Sequence, residues 1–497
     1  MRTIVLGPPG TGKTETLLTK VEDYLKETDP DKIGYFAFTQ KAAYEARDRA
    51  IKKFNLTEDD LPYFRTLHSL AFRRLGLKKE NVMQPFHYKD LGEKLKLPLS
   101  VPAWEQDEGN SFFTSNSEEL SIIDKARHKE ISVVQQYDLG EHTKEVSREK
   151  LVILDQEIKK YKKEYNLIDF HDMITEFIKS DKCPRFNAVF IDEAQDLSKV
   201  QWSMARNIWD NTDDSFVAGD DDQAIFRWAG ADVEHFINMK GKKKVLEKSH
   251  RVPKIIHSYA MKLIQRIKNR NIKKYLPRNH KGDLQFHRSS ELNVEKNDWL
   301  ILATTNYILD KVEENLIRDG IFFKRKNKSS IGKSTIGAIK NWENLRKGKK
   351  FTKKAIKKIY RLMKENVGVK EKHIELESMP NLNKFSMNDL IKNYGLLTKE
   401  PWGSALKKIS LKNKTYLELA FRKGENISFP RVKISTIHGA KGTQCDNVVL
   451  FTDLSREADK QYYLNPDDQT RVMYVGVTRA KRSLHIITPQ TERGFLI

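Results

Sequence analysis

Apolar positions along this chain alternate between two patterns. Short unbroken runs end in glycine or acidic residues, and longer stretches repeat apolar residues every three or four positions. The run TIVL at 3–6 leads into a glycine loop, and residues 14–25 follow with Leu17, Leu18, Val21 and Leu25 on one helical face. This predicts strand, loop and helix in the order of a nucleotide-binding α/β domain. A second strand is predicted at 33–38, a helix at 41–54 (KAAYEARDRAIKKF), and a strand at 187–191 that ends in acids, as a strand buried on both faces does. Residues 216–218, before GDDDQ, repeat that form.

Between about 86 and 180 the pattern turns helical and polar, which predicts an inserted, mainly helical subdomain. Near residue 297 the strand pattern returns. WLILATT, VKISTIHG and NVVLFTD predict strands, and YILDKVEENLIRDG predicts a helix closed by Gly320. Lysine-rich helical segments at 336–430 interrupt this second α/β unit, and a helix near 469–482 followed by the strand SLHIIT ends it. The organisation expected is therefore 1–85 and 185–246 as one α/β domain with an insertion at 86–184. A second α/β domain comprises 247–335 and 431–497, with a basic insertion at 336–430.

Charge changes the picture. The 497 residues carry 90 Lys and Arg against 68 Asp and Glu, a formal charge of +22 that points to a polyanionic partner. Residues 321–430 alone hold 27 Lys and Arg against 9 Asp and Glu. Solvated lysine-rich helices are the competing reading of any one of these charges. No apolar run approaches the roughly 18 residues of a membrane helix, so no membrane partner is expected. Met1 to Leu6 run straight into the glycine loop and do not read as a signal peptide. Cys183 and Cys445 are too far apart in sequence to build a metal cluster or disulfide framework, which fits a reducing compartment. The expected location is the cytoplasm, on the nucleoid, or in a host cell's cytoplasm for a viral source.

GPPGTGKT satisfies G-x-x-x-x-G-K-[ST]. Gly7, Pro8, Pro9, Gly10, Thr11 and Gly12 form a loop whose N–H groups approach phosphate oxygens, Lys13 reaches the β and γ phosphates, and the Thr14 hydroxyl is offered to Mg²⁺. AVFIDEAQD places Asp192 and Glu193 at the end of a buried strand, where one carboxylate holds Mg²⁺ and its neighbour orients and deprotonates a water. Acidic pairs after strands also serve as helix caps, so this motif gains its meaning from the phosphate loop.

With these motifs in order along the chain, together with AFTQKAA, TLHSLAF, GDDDQAIFRWAGAD, LEKSHRVP, STIHGAKGTQ and VMYVGVTRAK, the sequence resembles the superfamily 1 DNA helicases of the UvrD/Rep/PcrA type. YNLIDFHDMI, at 165–174, resembles the stretch that precedes the acidic motif in those enzymes. The resemblance implies two RecA-like domains that use ATP and Mg²⁺. It assigns Lys13, Thr14, Asp192, Glu193 and Gln223 to the first domain, and Arg251 and Arg479, as arginine fingers, to the second. It further implies single-stranded and tailed duplex DNA as partners, contacted by Thr39, Lys41, Thr66, His68, Thr436, His438 and Lys441. Phe38, Phe64, Phe226 and Trp228 are candidate stacking platforms. For Phe38 and Phe64, core packing is the stronger competing reading. Replication or repair proteins are further partners left unidentified.

Three positions depart from the family pattern. Six residues before the phosphate loop cannot supply the family's adenine-reading glutamine, so looser nucleotide selectivity is expected. His250 replaces the tyrosine that stacks on the base, and Gln444 replaces the glutamate that contacts the ribose. The chain also ends soon after its last strand, so neither an accessory-protein tail nor a fused nuclease is expected. The basic 321–430 segment is expected to hold duplex ahead of the fork. The function implied is a 3′-to-5′ DNA helicase or single-strand translocase. Two alternatives stay open: a translocase that strips proteins from single strands with little unwinding, and a non-catalytic, nucleotide-switched DNA-binding scaffold.

Overall fold

The computed structural model describes residues 2–99, 101, 117–140, 142, 146–288, 294, 296–326, 328–370, 379–380, 383–426 and 429–496. Parts of both expected insertions, at 102–116 and 371–378 among others, lie outside the described residues. The chain divides into two compact units, one of Met1–Leu284 with Leu454–Ser483, the other of Gln285–Asp453 with Leu484–Leu496.

The first unit is built on six strands: β1 (Arg2–Leu6), β2 (Ile33–Ala37), β3 (Phe64–Arg65), β4 (Phe186–Asp192), β5 (Thr212–Gly219) and β6 (Lys242–Val245). They lie in the order β3-β2-β4-β5-β1-β6, and every pair is parallel. A parallel sheet needs helices on its faces, which explains the unbroken apolar runs: β2 is buried at every position, and β4 at all but one. Helix Lys13–Leu25 buries Leu17, Leu18 and Val21 on this sheet, and helix Gln40–Phe54 buries Ala43, Ala46 and Ala50. The parallel order places the C-terminal ends of β1, β4 and β5 side by side, with Leu6 beside Gly219 and Ile191 beside Val217. The glycine loop and both acidic motifs leave the sheet at that edge, where ligands of open α/β sheets bind.

Between these strands the described part of 86–184 is helical: helices Glu118–His128 and Arg148–Glu164 share their own apolar cluster, and helix Phe170–Lys179 follows them. Asp169 anchors the last of them. It caps the helix by accepting from Asp172 N (2.9 Å), and it is buried between Arg127 Nη1 (2.7 Å) and Lys162 Nζ (2.6 Å). Burial opposes its ionisation, but Arg127 and Lys162 prevail and hold the carboxyl well below the usual carboxylate range. Asp169→Asn takes a carboxylate from two buried cations, leaving Arg127 to Asp155 (3.1 Å) and Lys162 to Asp172 (2.6 Å), and is expected to cost about 2 kcal/mol, read by denaturant unfolding. Because the folded pKa is depressed, this stabilisation is complete above the unfolded carboxyl's pKa and declines as pH falls below it. The wild-type advantage over the variant should therefore shrink in acid.

Two further strands of the first unit, β7 (Lys248–Pro253) and β8 (Leu276–Arg278), form a separate parallel pair. The second unit holds most of a sheet of β9 (Asp283–His287), β10 (Trp299–Ala303), β11 (Phe323–Arg325), β12 (Lys328–Ser329), β15 (Val432–Thr436), β16 (Cys445–Phe451) and β17 (Ala480–Ile487). The order is β12-β11-β15-β10-β16-β17-β9, with β10 parallel to both β15 and β16, β11 parallel to β15, and β11 and β12 antiparallel. Within 336–430 helices dominate, as the periodicity predicts, around a core that includes the fully buried Trp342. A two-stranded ribbon, β13 (Phe351–Thr352) with β14 (Lys384–Phe385), also occurs there and is too short to leave a pattern in the sequence.

One expectation is corrected. The last helix spans Pro466–Val477, not 469–482, so Arg479 stands in the turn after it and not on it. The Thr478 hydroxyl donates back to Tyr474 O (2.8 Å), and the alternating residues from Ala480 onward continue as β17.

Candidate active site

The glycine loop turns at two residues that only glycine adopts without strain, Gly10 (φ +73°) and Gly12 (φ +85°). Gly10 also has no room for a side chain, because a Cβ there would lie 2.4 Å from Arg251 Cβ. The strand β7 is therefore laid directly on the loop. Ser249 Oγ donates to Pro9 O (2.7 Å), and the His250 amide donates to Gly10 O (2.8 Å), which sets His250 and Arg251 beside the glycine turn.

Lys13 Nζ donates to Gly7 O (3.1 Å) and lies 3.6 Å from Glu193 Oε1. Thr14 Oγ1 donates to Asp192 Oδ2 (2.7 Å), as does Tyr35 OH (3.0 Å). Burial, and Glu193 next to it, push the Asp192 carboxyl up, while Lys13, Thr14 and Tyr35 oppose that shift. A hydroxyl and a carboxylate meeting at the phosphate loop form an oxygen-only donor set that fits Mg²⁺, whose double charge would favour the ionised form of Asp192. Glu193 is held in the left-handed region (φ +53°), a conformation rare for a non-glycine residue and common at functional sites. Gln195 Nε2 grips Glu193 Oε2 at 2.6 Å, while Gln195 Oε1 accepts from Asp220 N (2.9 Å), tying the two acidic loops together.

Gln223 is buried on a short 3₁₀ turn after β5. Its Nε2 donates to Asp220 Oδ2 (2.6 Å), and its Oε1 accepts from Arg479 Nη2 (2.9 Å). Arg479 is 1% exposed and also donates Nε to Val475 O (2.9 Å). Burial, with Arg251 nearby, pushes the Arg479 guanidinium down to about 9 against the pull of Glu193, and burial lowers Arg251 as well. Two guanidinium groups kept at such a cost beside a phosphate loop make a site that an incoming polyanion stabilises.

The first unit thus brings together Gly7–Thr14, Asp192, Glu193, Gln223, His250, Arg251 and Arg479. Gln444 lies in the other unit, exposed just before β16. Sequence reasoning passed over Tyr35, Gln195 and Ser249. Gln195 sits inside the quoted acidic motif and Ser249 next to His250, so position alone could have flagged them.

The DNA-directed candidates are differently placed. Thr39 and Thr66 spend their hydroxyls as N-caps, accepting from Ala42 N (3.0 Å) and Ser69 N (3.2 Å). Lys41 is exposed on the first turn after its cap, and His68 is buried with its ring edge-on to Phe170. Phe64 is 2% exposed and stacked on Tyr35 (5.2 Å), so core packing claims it and it offers no face to a base. Phe38 and Phe226 are buried against one another (5.6 Å). Trp228, 46% exposed in the turn beyond Phe226, presents the one open ring of the four. In the second unit Thr436, at the end of β15, accepts from Gly439 N (3.1 Å), and His438 and Lys441 follow in the turn, both half-buried.

Residues 1–244 match the model of the UvrD/REP helicase N-terminal domain, and residues 326–491 that of the UvrD-like helicase C-terminal domain. The chain is 22% identical to the ATP-dependent DNA helicase Rep of Buchnera aphidicola from Acyrthosiphon pisum, over 97% of this chain and 91% of that protein. It is 24% identical to the ATP-dependent DNA helicase PcrA of Bacillus subtilis, over 64% of this chain and 47% of that protein. The ATP-dependent DNA helicase srs2 of Schizosaccharomyces pombe is 27% identical over 60% of this chain, and the match reaches 37% of its length.

Proposed function

We propose that this chain, which belongs to the UvrD/REP family of superfamily 1 DNA helicases, moves 3′ to 5′ along single-stranded DNA and separates the duplex ahead of it, driven by ATP hydrolysis at Gly7–Thr14. It is an ATP-dependent DNA helicase with two RecA-like domains. The observation that carries the mechanistic reading is the convergence of Lys13, Glu193, Gln223 and Arg479 on one edge of the β1–β4–β5 sheet.

In that reading Lys13 and the loop amides bind the phosphates, and Thr14 with Asp192 holds Mg²⁺, which neutralises charge on the transferring phosphoryl group. Glu193, fixed by Gln195, orients the attacking water and takes its proton. Gln223 positions the γ-phosphate end of the site, while Arg251 and Arg479 stabilise charge as it develops there. His250 lies beside the loop, where its exposed imidazole can stack on a base. Trp228 supplies a base-stacking surface worth about 1–3 kcal/mol whatever the base, which suits a motor indifferent to sequence. The surplus of cations in 321–430 faces duplex phosphates.

Strand displacement on matched duplexes with either a 3′ or a 5′ single-stranded tail tests this directly. Unwinding of the 3′-tailed substrate alone is expected, with none by Lys13→Ala. A preference for the 5′ tail would overturn the polarity, and ATP turnover without displacement of either strand would leave a translocase.

A further inference from the structure

The loop that carries Gln223 is gripped by charges that hydrolysis itself leaves without a role. Asp220, Asp221 and Asp222 are consecutive and all buried. Against them stands Lys273, 2% exposed, whose Nζ lies 3.0 Å from Asp220 Oδ1, 2.5 Å from Asp221 Oδ1 and 3.0 Å from Asp222 Oδ2. All three carboxylates have other partners, and those of Asp220, Gln223 Nε2 (2.6 Å) and Asp222 N (3.3 Å), belong to the same loop. Arg270 meets both oxygens of Asp222 (2.7 and 2.6 Å), and the Asn271 amide donates to Asp221 Oδ2 (2.7 Å). Arg471 adds a bond from Nε to Asp221 O (2.9 Å). The loop would thus remain tethered without Lys273, and among the described residues it is Lys273 that makes the ion pair to Asp220.

Asp220 is also the residue that orients Gln223. A primary amide has one accepting and one donating end, so the bond from Gln223 Nε2 to Asp220 Oδ2 decides which end points the other way. It leaves Gln223 Oε1 for Arg479 Nη2. The contacts form an unbroken line: Lys273 Nζ, both oxygens of Asp220, both ends of the Gln223 amide, and Arg479.

We propose that Lys273 is a positioning residue for ATP hydrolysis, which by holding Asp220 fixes the orientation of the Gln223 amide and, through it, of Arg479. The proposal rests on the reading of Gln223 and Arg479 as groups that act at the γ-phosphate. A buried lysine that merely balanced three aspartates would matter to folding alone, whereas a positioning lysine acts on turnover and only through Gln223.

The test is a double-mutant cycle on the full chain, with single-stranded DNA-dependent ATP hydrolysis as the readout and Lys273→Met, Gln223→Ala and their combination as the variants. Lys273→Met is expected to lower kcat about tenfold with the KM for ATP changed by less than about threefold, and to cost nothing further once Gln223 is alanine. Losses that multiply in the double variant, or a Lys273→Met kcat within about twofold of wild type, overturn the proposal while the reading of Gln223 stands. A Gln223→Ala enzyme with wild-type kcat overturns that reading and the proposal with it. Should Lys273→Met fail to fold, Lys273→Arg takes its place in the cycle. It keeps the charge, but a planar guanidinium cannot set one nitrogen on three carboxylates, and the same loss of kcat, absent on the Gln223→Ala background, is expected.

Discussion

Lys13→Ala should abolish ATP turnover, with single-stranded DNA-dependent phosphate release falling by about a hundredfold or more while the protein stays folded. The size follows from what the side chain joins. Its Nζ bridges the start of the loop, at Gly7 O, and the carboxylate of Glu193, so it holds the cradle closed and sets the proposed base in place at once. It also opposes the upward push on Asp192, and its removal makes that carboxyl harder to ionise where Mg²⁺ needs it. The fold has little stake in this lysine. Glu193 is reached by water and keeps Gln195, and the loop keeps Ser249 and the His250 amide. The melting midpoint without nucleotide should move by less than about 3 °C, whereas the rise in midpoint on adding ADP and Mg²⁺ should vanish. Turnover within tenfold of wild type would mean that the phosphates are bound elsewhere.

That the loop and the acidic pair were legible in the sequence has a local cause. Each is written in consecutive residues, Gly7–Thr14 and Asp192–Glu193, attached to strands whose apolar runs announce them, so motif and element confirm each other. The helical insertions were legible for the same reason, since helix periodicity is local. What holds the site together is not local. Lys273 and Asp220 meet across 53 positions of chain and Arg479 and Gln223 across 256, and no spacing rule reaches that far. The aromatic candidates show the limit from the other side. The strand positions of Phe38 and Phe64 already favour core packing, but Phe226 and Trp228 share one loop, and only packing distinguishes the buried phenylalanine from the exposed tryptophan. The expected helix overruns Arg479 because no proline or glycine follows Val477 to mark a stop, although Gly476, Val477 and Thr478 are poor helix formers; the back-bond of Thr478 with the pull of β17 decides the boundary.

Arg479→Gln should lower kcat by about a thousandfold with the KM for ATP changed only severalfold, which is the signature of a group that acts in the transition state more than in the ground state. Glutamine keeps one hydrogen-bond donor for Gln223 but loses the charge. The same variant separates this role from a structural one by the sign of its effect on stability. In the nucleotide-free protein the Arg479 guanidinium is desolvated and faces Arg251, and these together outweigh the attraction of Glu193. The cation is thus a burden to the folded state until phosphates arrive. Replacing it should leave the nucleotide-free melting midpoint unchanged or slightly higher, while the stabilisation produced by a non-hydrolysable ATP analogue with Mg²⁺ shrinks, because the anion loses a partner. An arginine whose work was packing the turn between the last helix and β17 would behave oppositely: its loss would lower the midpoint with and without nucleotide, and kcat per folded molecule would hardly change. The pair of measurements, turnover and the nucleotide-dependent shift in melting, therefore distinguishes a charge held in readiness for phosphate from one that only fills space.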